Sequence, residues 1–280
     1  NVEQQRIAWT VLAHTYFDSG RFAEAERAYG EVASRLPPND PQRAEITERL
    51  AASVYRQAEA KQAAGDTAGA VREYLRVASV VPASPAAAKA QFDAATLLLT
   101  AKQWDQAAVV LENFRRNYPQ DELQPEVTRK LAVAYLEGGQ QRKAAVELER
   151  VAARDAEEPE VRRAALWQAA ELYRSSGDAT SAARVYAEYV RRFPVPFDVA
   201  QDARQELADL ATATGNPAAR QQWLQEIVSA DAAAGAARTD RSRFLAANAS
   251  LELARPLDSK ARAIRLAIPL DKSLRAKRKA

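Results

Sequence analysis

Residues 160–196 read EVRRAALWQAAELYRSSGDATSAARVYAEYVRRFPVP and contain every feature on which the fold prediction depends. Ala170 and Ala182 stand on either side of Gly177, and Pro194 follows twelve residues after Ala182. A glycine with positive φ ends one helix, and a proline cannot continue the next. Because small residues let two helices approach closely, the segment predicts a helix hairpin.

The same pattern recurs along the whole chain. A first column of alanines repeats at intervals of 45, 37, 37, 38, 38 and 38 residues, at Ala13, Ala58, Ala95, Ala132, Ala170, Ala208 and Ala246. A second column follows twelve residues later, at Ala25, Ala70, Ala107, Ala144 and Ala182, with Arg220 in the sixth place. Between the columns stand Gly20, Gly65, Gly139, Gly177 and Gly215, with Lys102 as the exception. Since alanine is the best helix former and makes up 63 of the 280 residues, the sequence predicts an almost entirely helical chain.

The spacing predicts six repeats within residues 1–235 and a degenerate seventh unit over 236–280. The six repeats are expected at about 6–39, 41–84, 86–121, 124–158, 160–196 and 199–235. The 45-residue interval adds about three helical turns, which we assign to a long helix from Pro41 to Ala64 capped by Asn39 and Asp40. Pro256 and Pro269 are expected to break the seventh unit into short helices. The absence of an initial methionine predicts a segment of a longer chain.

The residues of the first repeat resemble the tetratricopeptide repeat family. Trp9, Leu12, Ala13 and Tyr16 are followed by Gly20, Ala25, Tyr29 and Pro37, and the order recurs in the later repeats. The resemblance implies an all-α fold, a right-handed α-solenoid of about six to seven helix hairpins. It also implies that the first helix of each hairpin lines a concave groove that binds proteins.

A second stretch resembles a narrower group. The run Ala230-Asp231-x-x-Ala234-Gly235-x-x-Arg238-Thr239-x-Arg241, followed by residues 244–247 and 269–277, is similar to large bacterial cell-envelope tetratricopeptide proteins. Relatives in that group are associated with Tol/Exb-like proton-channel and gliding-type machinery. This resemblance implies a periplasmic or outer-membrane-associated scaffold. Composition leaves a cytoplasmic location open, since a chain without cysteine suits either compartment.

Composition argues against most catalytic chemistry. The chain has no cysteine and one histidine, His14, which rules out disulfides, thiolate nucleophiles and multi-histidine metal sites. Gly138-Gly139 has no Lys-Ser/Thr after it, so it is not a phosphate-binding loop. We therefore predict no enzyme activity, no cofactor and no metal. No apolar run approaches 18 residues, so no transmembrane segment is expected either.

The candidate groove residues are chosen by their spacing around the first alanine column. Positions three before, one after and four after each alanine share one helix face. The candidate residues are Thr10, His14, Phe17, Tyr55, Glu59, Phe92, Thr96, Leu99, Arg129, Val133, Leu136, Trp167, Glu171 and Arg174. Aromatic anchors beside charges suit a peptide or helix segment, although the same aromatic residues could instead pack between repeats. Chaperone-adaptor relatives hold a carboxylate with Lys and Asn where this chain has Thr10 and His14, so that clamp is not expected.

The C-terminal end is strongly basic. Residues 255–280 carry nine Lys or Arg against two Asp, a balance of +7, and the other 254 residues carry 31 basic and 35 acidic side chains, or −4. This end is interpreted as a solvated helix face, a contact for anionic lipid or an acidic partner, or a nucleic-acid contact. Nucleic acid is not the expected partner, because these residues include no aromatic side chain for base stacking.

Three functions remain open at this point. The first is a non-catalytic protein-interaction scaffold with a groove ligand. The second is an architectural spacer without one, and the third is an enzyme that uses an unrecognised site around His14 or the groove acids.

Overall fold

The computed structural model describes residues 2–82, 84–264 and 270–279, and every regular element in these ranges is a helix. The predicted all-α class is confirmed. The chain forms two compact units, unit 1 over Asn1–Glu147 and unit 2 over Leu148–Ala280. Pro269 lies outside the described residues, so the prediction made for it has no structural counterpart.

Unit 1 is made of helices joined by short turns. Its helices are α1 (Val2–Asp18), α2 (Phe22–Arg35), α3 (Arg43–Ala63), α4 (Thr67–Val80), α5 (Pro85–Thr100), α6 (Trp104–Asn117) and α7 (Gln124–Glu137), followed by the start of α8 (Gln141–Ala153). Each helix from α1 to α7 packs on its neighbours in the chain. Short turns between packed neighbours make each pair an antiparallel hairpin.

Unit 2 continues from within α8. Its helices are α9 (Pro159–Ser175), α10 (Ala179–Arg192), α11 (Phe197–Ala213), α12 (Pro217–Ala233), α13 (Asp240–Ala263) and α14 (Leu270–Lys279), with a 3₁₀ turn over Gly235–Ala237. Helices α9 to α13 pack consecutively, and α13 also contacts α11.

Both alanine columns lie in the core. All seven alanines of the first column and all five of the second are buried. A methyl group is the largest side chain that leaves two helices in close contact, so these positions set the distance between the helices of each hairpin. Arg220 occupies the sixth place of the second column because its guanidinium reaches outward to Glu252, with Nη2 2.7 Å from Oε2.

The turn between the columns has one geometry. The five column glycines have φ between 67° and 80°, as predicted. Lys102 adopts the same left-handed conformation, with φ of 58°, although side chains disfavour it. The backbone N–H of Gln103 donates to the Leu98 carbonyl at 2.9 Å, and that of Asp178 donates to the Tyr173 carbonyl at the same distance. This bond across five residues closes the Schellman turn with or without glycine.

Two predicted helix boundaries were wrong. Helix α3 begins at Arg43 and not at Pro41, because the Asp40 carboxylate accepts the backbone N–H of Gln42 at 2.9 Å in a turn before the helix. Pro256 lies inside α13 and does not break it. Proline removes one backbone hydrogen bond, and at an exposed position water can satisfy the freed carbonyl.

Arginine–glutamate pairs link the second helices of successive hairpins within each unit. In unit 1, Arg76 on α4 holds Glu26 on α2 with two bonds of 2.5 and 2.8 Å, and these bonds lower the pKa of Glu26. Arg115 on α6 reaches the buried Glu147 at 2.6 Å. In unit 2, Arg184 on α10 contacts Glu149 on α8 at 2.7 Å.

Candidate functional site

The candidate residues lie on the first helices of the hairpins, which are α1, α3, α5 and α7 in unit 1 and α9 in unit 2. In each unit, the side of these helices that the spacing selects is called the first-helix face. On α1, the Nδ1 atom of His14 lies 2.9 Å from the hydroxyl of Tyr29 on α2. Burial raises the pKa of Tyr29, so its hydroxyl stays protonated, and the tautomer of His14 decides which of the two groups donates. His14 therefore ties the two helices of its hairpin together. Thr10 donates to the Arg6 carbonyl of its own helix at 2.9 Å.

Phe17, also on α1, is half-buried against the second helix of its hairpin. Its ring meets Phe22 edge-on, with centroids 5.4 Å apart. The guanidinium of Arg49 on α3 lies over the same ring at 5.8 Å. The ring is therefore fixed from two sides.

On α3, Tyr55 connects three helices. Its ring meets Tyr74 of α4 edge-on at 5.2 Å, and its hydroxyl donates to Asp93 of α5 at 2.5 Å. Lys89, also on α5, donates to the Tyr55 hydroxyl and, at 2.7 Å, to Asp93. Burial and the bond to Asp93 together raise the pKa of Tyr55. Glu59, one turn further on α3, pairs with Arg56 at 2.6 Å.

On α5, Phe92 is likewise contacted by a ring of the second helix and by a cation of the next first helix. Its ring lies edge-on to the fully buried Phe114 of α6 at 6.2 Å, and Lys130 of α7 lies over it at 5.2 Å. Thr96 donates to the Phe92 carbonyl at 3.0 Å, and Leu99 is half-buried.

Helix α7 carries the most accessible apolar residue of the predicted set. Val133 is 48% exposed, with the half-buried Leu136 one turn away. Arg129, one turn before Val133, pairs with Glu126 at 2.7 Å.

In unit 2, Trp167 on α9 lies against two rings of α10. Its indole meets Tyr186 at 5.4 Å and Tyr189 at 5.3 Å, both edge-on. Glu171 and Arg174 are exposed one and two turns further along, and Arg174 lies 3.5 Å from Glu206 of α11.

The structure thus brings part of the predicted set together. In unit 1, α5 lies beside both α3 and α7, and cations of the later helix reach the rings Tyr55 and Phe92 of the earlier one. Each of these rings packs against a ring of its own hairpin and remains half-exposed. Their role in binding stays a prediction.

Unit 2 also has an open cleft between α11 and α13, with a volume of about 460 Å³. Gln205 and Asp209, which occupy the equivalent positions of the sixth repeat, line it on one side. Phe244 and Leu251 line the other side, and both are more than half exposed. The spacing rule did not select these two apolar residues, because they stand two before and five after Ala246 and not three before, one after or four after it.

A buried ionic network, not predicted from the sequence, lies at the turn after α12. Asp231 is 2% exposed; its carboxylate lies 2.6 Å from Nη2 of Arg238 and accepts the Ser242 hydroxyl at 2.8 Å. Burial alone would raise the pKa of Asp231, but the bonds from Arg238 and Ser242 outweigh it and lower the pKa. Thr239 and Ser242 form a reciprocal capping box that starts α13. These residues belong to the stretch that carries the cell-envelope resemblance, and here their role is structural.

The described ranges contain neither a cluster of metal-ligating side chains nor a membrane-spanning helix. Over residues 2–82, 84–264 and 270–279, no group of three or more histidine, aspartate or glutamate side chains is arranged to hold a metal ion. In the same ranges, none of the helices combines the length and apolar character needed to cross a bilayer.

Comparison with protein families matches residues 47–214 to the YfiO family, described as an outer membrane lipoprotein. The chain belongs to the YfiO family. Its match spans α3 to the end of α11, the part in which the repeats are most regular. Solved structures described as having TPR-like repeats or as a TPR protein are also among its matches.

Three solved structures illustrate the likeness of this YfiO-family chain. The Naa15/Naa10 complex bound to HypK-THB has a TM-score of 0.52 and 15% identity, covering 98% of this chain and 39% of that one. MamA from Desulfovibrio magneticus RS-1 has a TM-score of 0.35 and 20% identity, covering 67% and 94%. YrrB, described as a TPR protein with an unusual peptide-binding site, has a TM-score of 0.38 and 15% identity, covering 72% and 92%. The likeness to the Naa15/Naa10 complex supports the fold alone. No curated protein matches the sequence.

Proposed function

We propose that this chain is a non-catalytic scaffold that binds a peptide or helix segment of another protein on its first-helix face. The observation that carries the proposal is the fixed, half-exposed row of rings in unit 1. Phe17, Tyr55 and Phe92 are each held edge-on by a ring of the second helix and covered from one side by a cation of the next first helix.

A surface of this kind binds at low entropic cost. The rings are immobilised before a ligand arrives, so binding does not have to order them. Apolar contact with the ring edges and Val133 supplies most of the affinity in this proposal. Arg129 and Glu59, which are charged and lie on the same face, favour one orientation of the ligand over the reverse.

The chemistry of the described residues supports a role without catalysis. His14 is engaged with Tyr29 inside its hairpin. Burial raises the pKa of one carboxyl near the face, Glu206. Arg174, 3.5 Å away, opposes this shift, whereas the nearby acids Asp209, Glu171 and Asp202 add to it, so burial and like charges together account for the raised pKa.

Site-specific photocrosslinking tests the proposal. A photoreactive amino acid replaces Val133 on the first-helix face, and a matched chain carries it at Val109, which is 56% exposed on the second helix α6. We expect a defined protein to crosslink from position 133 and not from 109. Phe92→Ala, checked for folding by circular dichroism, should weaken that crosslink. Equal labelling from both positions would overturn the proposal, and absence of labelling from both would favour the spacer.

We further propose that the scaffold works in a bacterial cell-envelope assembly, in the periplasm or at the outer membrane. Membership of a family described as an outer membrane lipoprotein supports this location. Fractionation of the source cells, with protease added before and after opening the outer membrane, tests it. Recovery in the cytoplasmic fraction, protected until the inner membrane is broken, would contradict it.

A further inference from the structure

The C-terminal region carries charge that the rest of the fold does not neutralise. Arg255 pairs with Glu252 at 2.6 Å and Arg262 with Asp258 at 2.9 Å. Among the described residues, none of the remaining cations of this region lies in an ion pair: Lys260, Lys272, Arg275, Lys277, Arg278 and Lys279. Their uncompensated charge produces a local positive field, although residues 1–254 are net negative.

The helices that carry these cations are exposed. From Ala254 to Lys260 every residue of α13 is exposed, and Pro256, Leu257 and Lys260 form one wall of an open cleft whose other wall is α12. On α14 every residue whose side chain is described is exposed. The cations of both helices are therefore accessible to a partner.

Exposed leucines are placed beside the cations. Leu257 on α13 is 54% exposed, with Lys260 one turn later on the same side of the helix. Leu274 on α14 is 39% exposed, with Lys277 and Arg278 one turn later. A leucine that enters the boundary of a bilayer while neighbouring lysines reach its headgroups is the pattern of an interfacial helix.

We propose that residues 255–263 of α13 together with α14 dock on the surface of an anionic lipid bilayer. Phosphate headgroups neutralise the unpaired cations, and Leu257 and Leu274 contact the acyl-chain boundary. This surface shares no residue with the first-helix face, so either proposal can fail while the other stands.

Sedimentation with lipid vesicles tests the proposal. The full chain should bind vesicles that contain phosphatidylglycerol and not vesicles of phosphatidylcholine alone. Arg275→Gln with Lys279→Gln should weaken binding about 25-fold, since each cation near the surface contributes about fivefold. The matched control is Arg72→Gln with Arg191→Gln, which removes two exposed cations from α4 and α10 and should leave binding unchanged.

Three results would overturn the proposal. One is equal binding to charged and neutral vesicles, and another is equal loss from the two double variants. The third is binding to polyglutamate with no binding to anionic vesicles, which would assign the region to an acidic protein. Leu274→Ala should lower the binding that survives about 0.5 M salt, because apolar insertion is not screened; unchanged residual binding would exclude the leucine from the contact.

Discussion

The third hairpin, α5–α6, and the fifth, α9–α10, reach the same shape with different turns. In the fifth, Gly177 supplies the left-handed residue, and Asp178 caps α10 by accepting the Ser181 backbone N–H at 3.0 Å. In the third, Lys102 takes the left-handed conformation at a steric cost, and Gln103 makes no side-chain cap. The third hairpin therefore lacks both the glycine and the side-chain cap, and its turn still has the same geometry.

Packing of aromatic rings explains how the third hairpin keeps its turn without a glycine or a side-chain cap. In the third hairpin Phe114 is fully buried and contacts Phe92 at 6.2 Å and Tyr118 at 5.1 Å. In the fifth, Trp167 contacts both Tyr186 and Tyr189. We therefore expect ring packing to stabilise the hairpins, with turn residues contributing smaller amounts.

The largest expected effect is the loss of a ring from the third hairpin. Phe114→Ala should lower the free energy of unfolding by about 4 kcal/mol, since it leaves a cavity under Phe92 that the helices cannot close. Urea denaturation followed by circular dichroism measures it. The control is Val109→Ala, an exposed position on the same helix, expected to cost less than about 0.5 kcal/mol. Similar values for the two variants would show that turns and not rings hold the hairpin.

The second-largest expected effect is the loss of a buried charge in unit 2. Asp231→Asn should cost about 2 kcal/mol at neutral pH, because it weakens the bonds from Arg238 and Ser242 to a buried carboxylate. The pKa of Asp231 is lowered in the fold, so its contribution is complete above the unfolded value of 3.8 and is lost as the pH falls through the lower folded value. The difference between the two proteins in urea denaturation should shrink below about pH 4. A difference that is constant down to pH 2 would contradict this.

The third hairpin should become more stable when glycine replaces Lys102 in its turn. Lys102→Gly should raise the free energy of unfolding by about 1 kcal/mol, because glycine adopts positive φ without steric cost. The reciprocal variant Gly177→Lys should lose a similar amount in the fifth hairpin. Thermal denaturation of both proteins provides the measurement. If Lys102→Gly were destabilising, contacts of the lysine side chain would outweigh its backbone strain.

The smallest effect should come from a buried hydroxyl of the fifth hairpin. Tyr186 is fully buried and, among the described residues, its hydroxyl makes no hydrogen bond of normal geometry, although the nearby Arg174 opposes the rise that burial causes in its pKa. Tyr186→Phe should therefore leave stability within about 0.5 kcal/mol or increase it slightly. Tyr74→Phe is the matched change in unit 1, and it should cost about 1 kcal/mol, since that hydroxyl donates to Gln62 at 2.9 Å. Equal costs in urea denaturation would indicate an unseen partner for Tyr186.

Much of the fold was predictable because its signals are local. Both alanine columns are buried, and the five column glycines take positive φ, because helix spacing and turn geometry depend on residues close in the chain. The errors arose where local rules compete with context. Pro256 was expected to end a helix, but the exposed helix continues through it.

The candidate surface was less predictable. Spacing placed Tyr55 and Phe92 on the same face of successive first helices, and in the structure α3 and α5 lie beside each other. It could not show that His14 bonds to Tyr29 or that Tyr55 bonds to Asp93, 38 residues away. Phe244 and Leu251 were missed for a related reason, since their exposure depends on which helices pack around α13.

The amino-acid sequence by itself determined that this chain is a series of helix hairpins, where each hairpin turns, and which small residues lie between its helices. These properties follow from periodicity and from the conformations that glycine and alanine permit. Only the tertiary structure decided which polar groups meet, including the buried Asp231 with Arg238 and the cations over Tyr55 and Phe92. Such contacts join residues of different helices, and their geometry is set by the packing of whole helices and not by spacing along one.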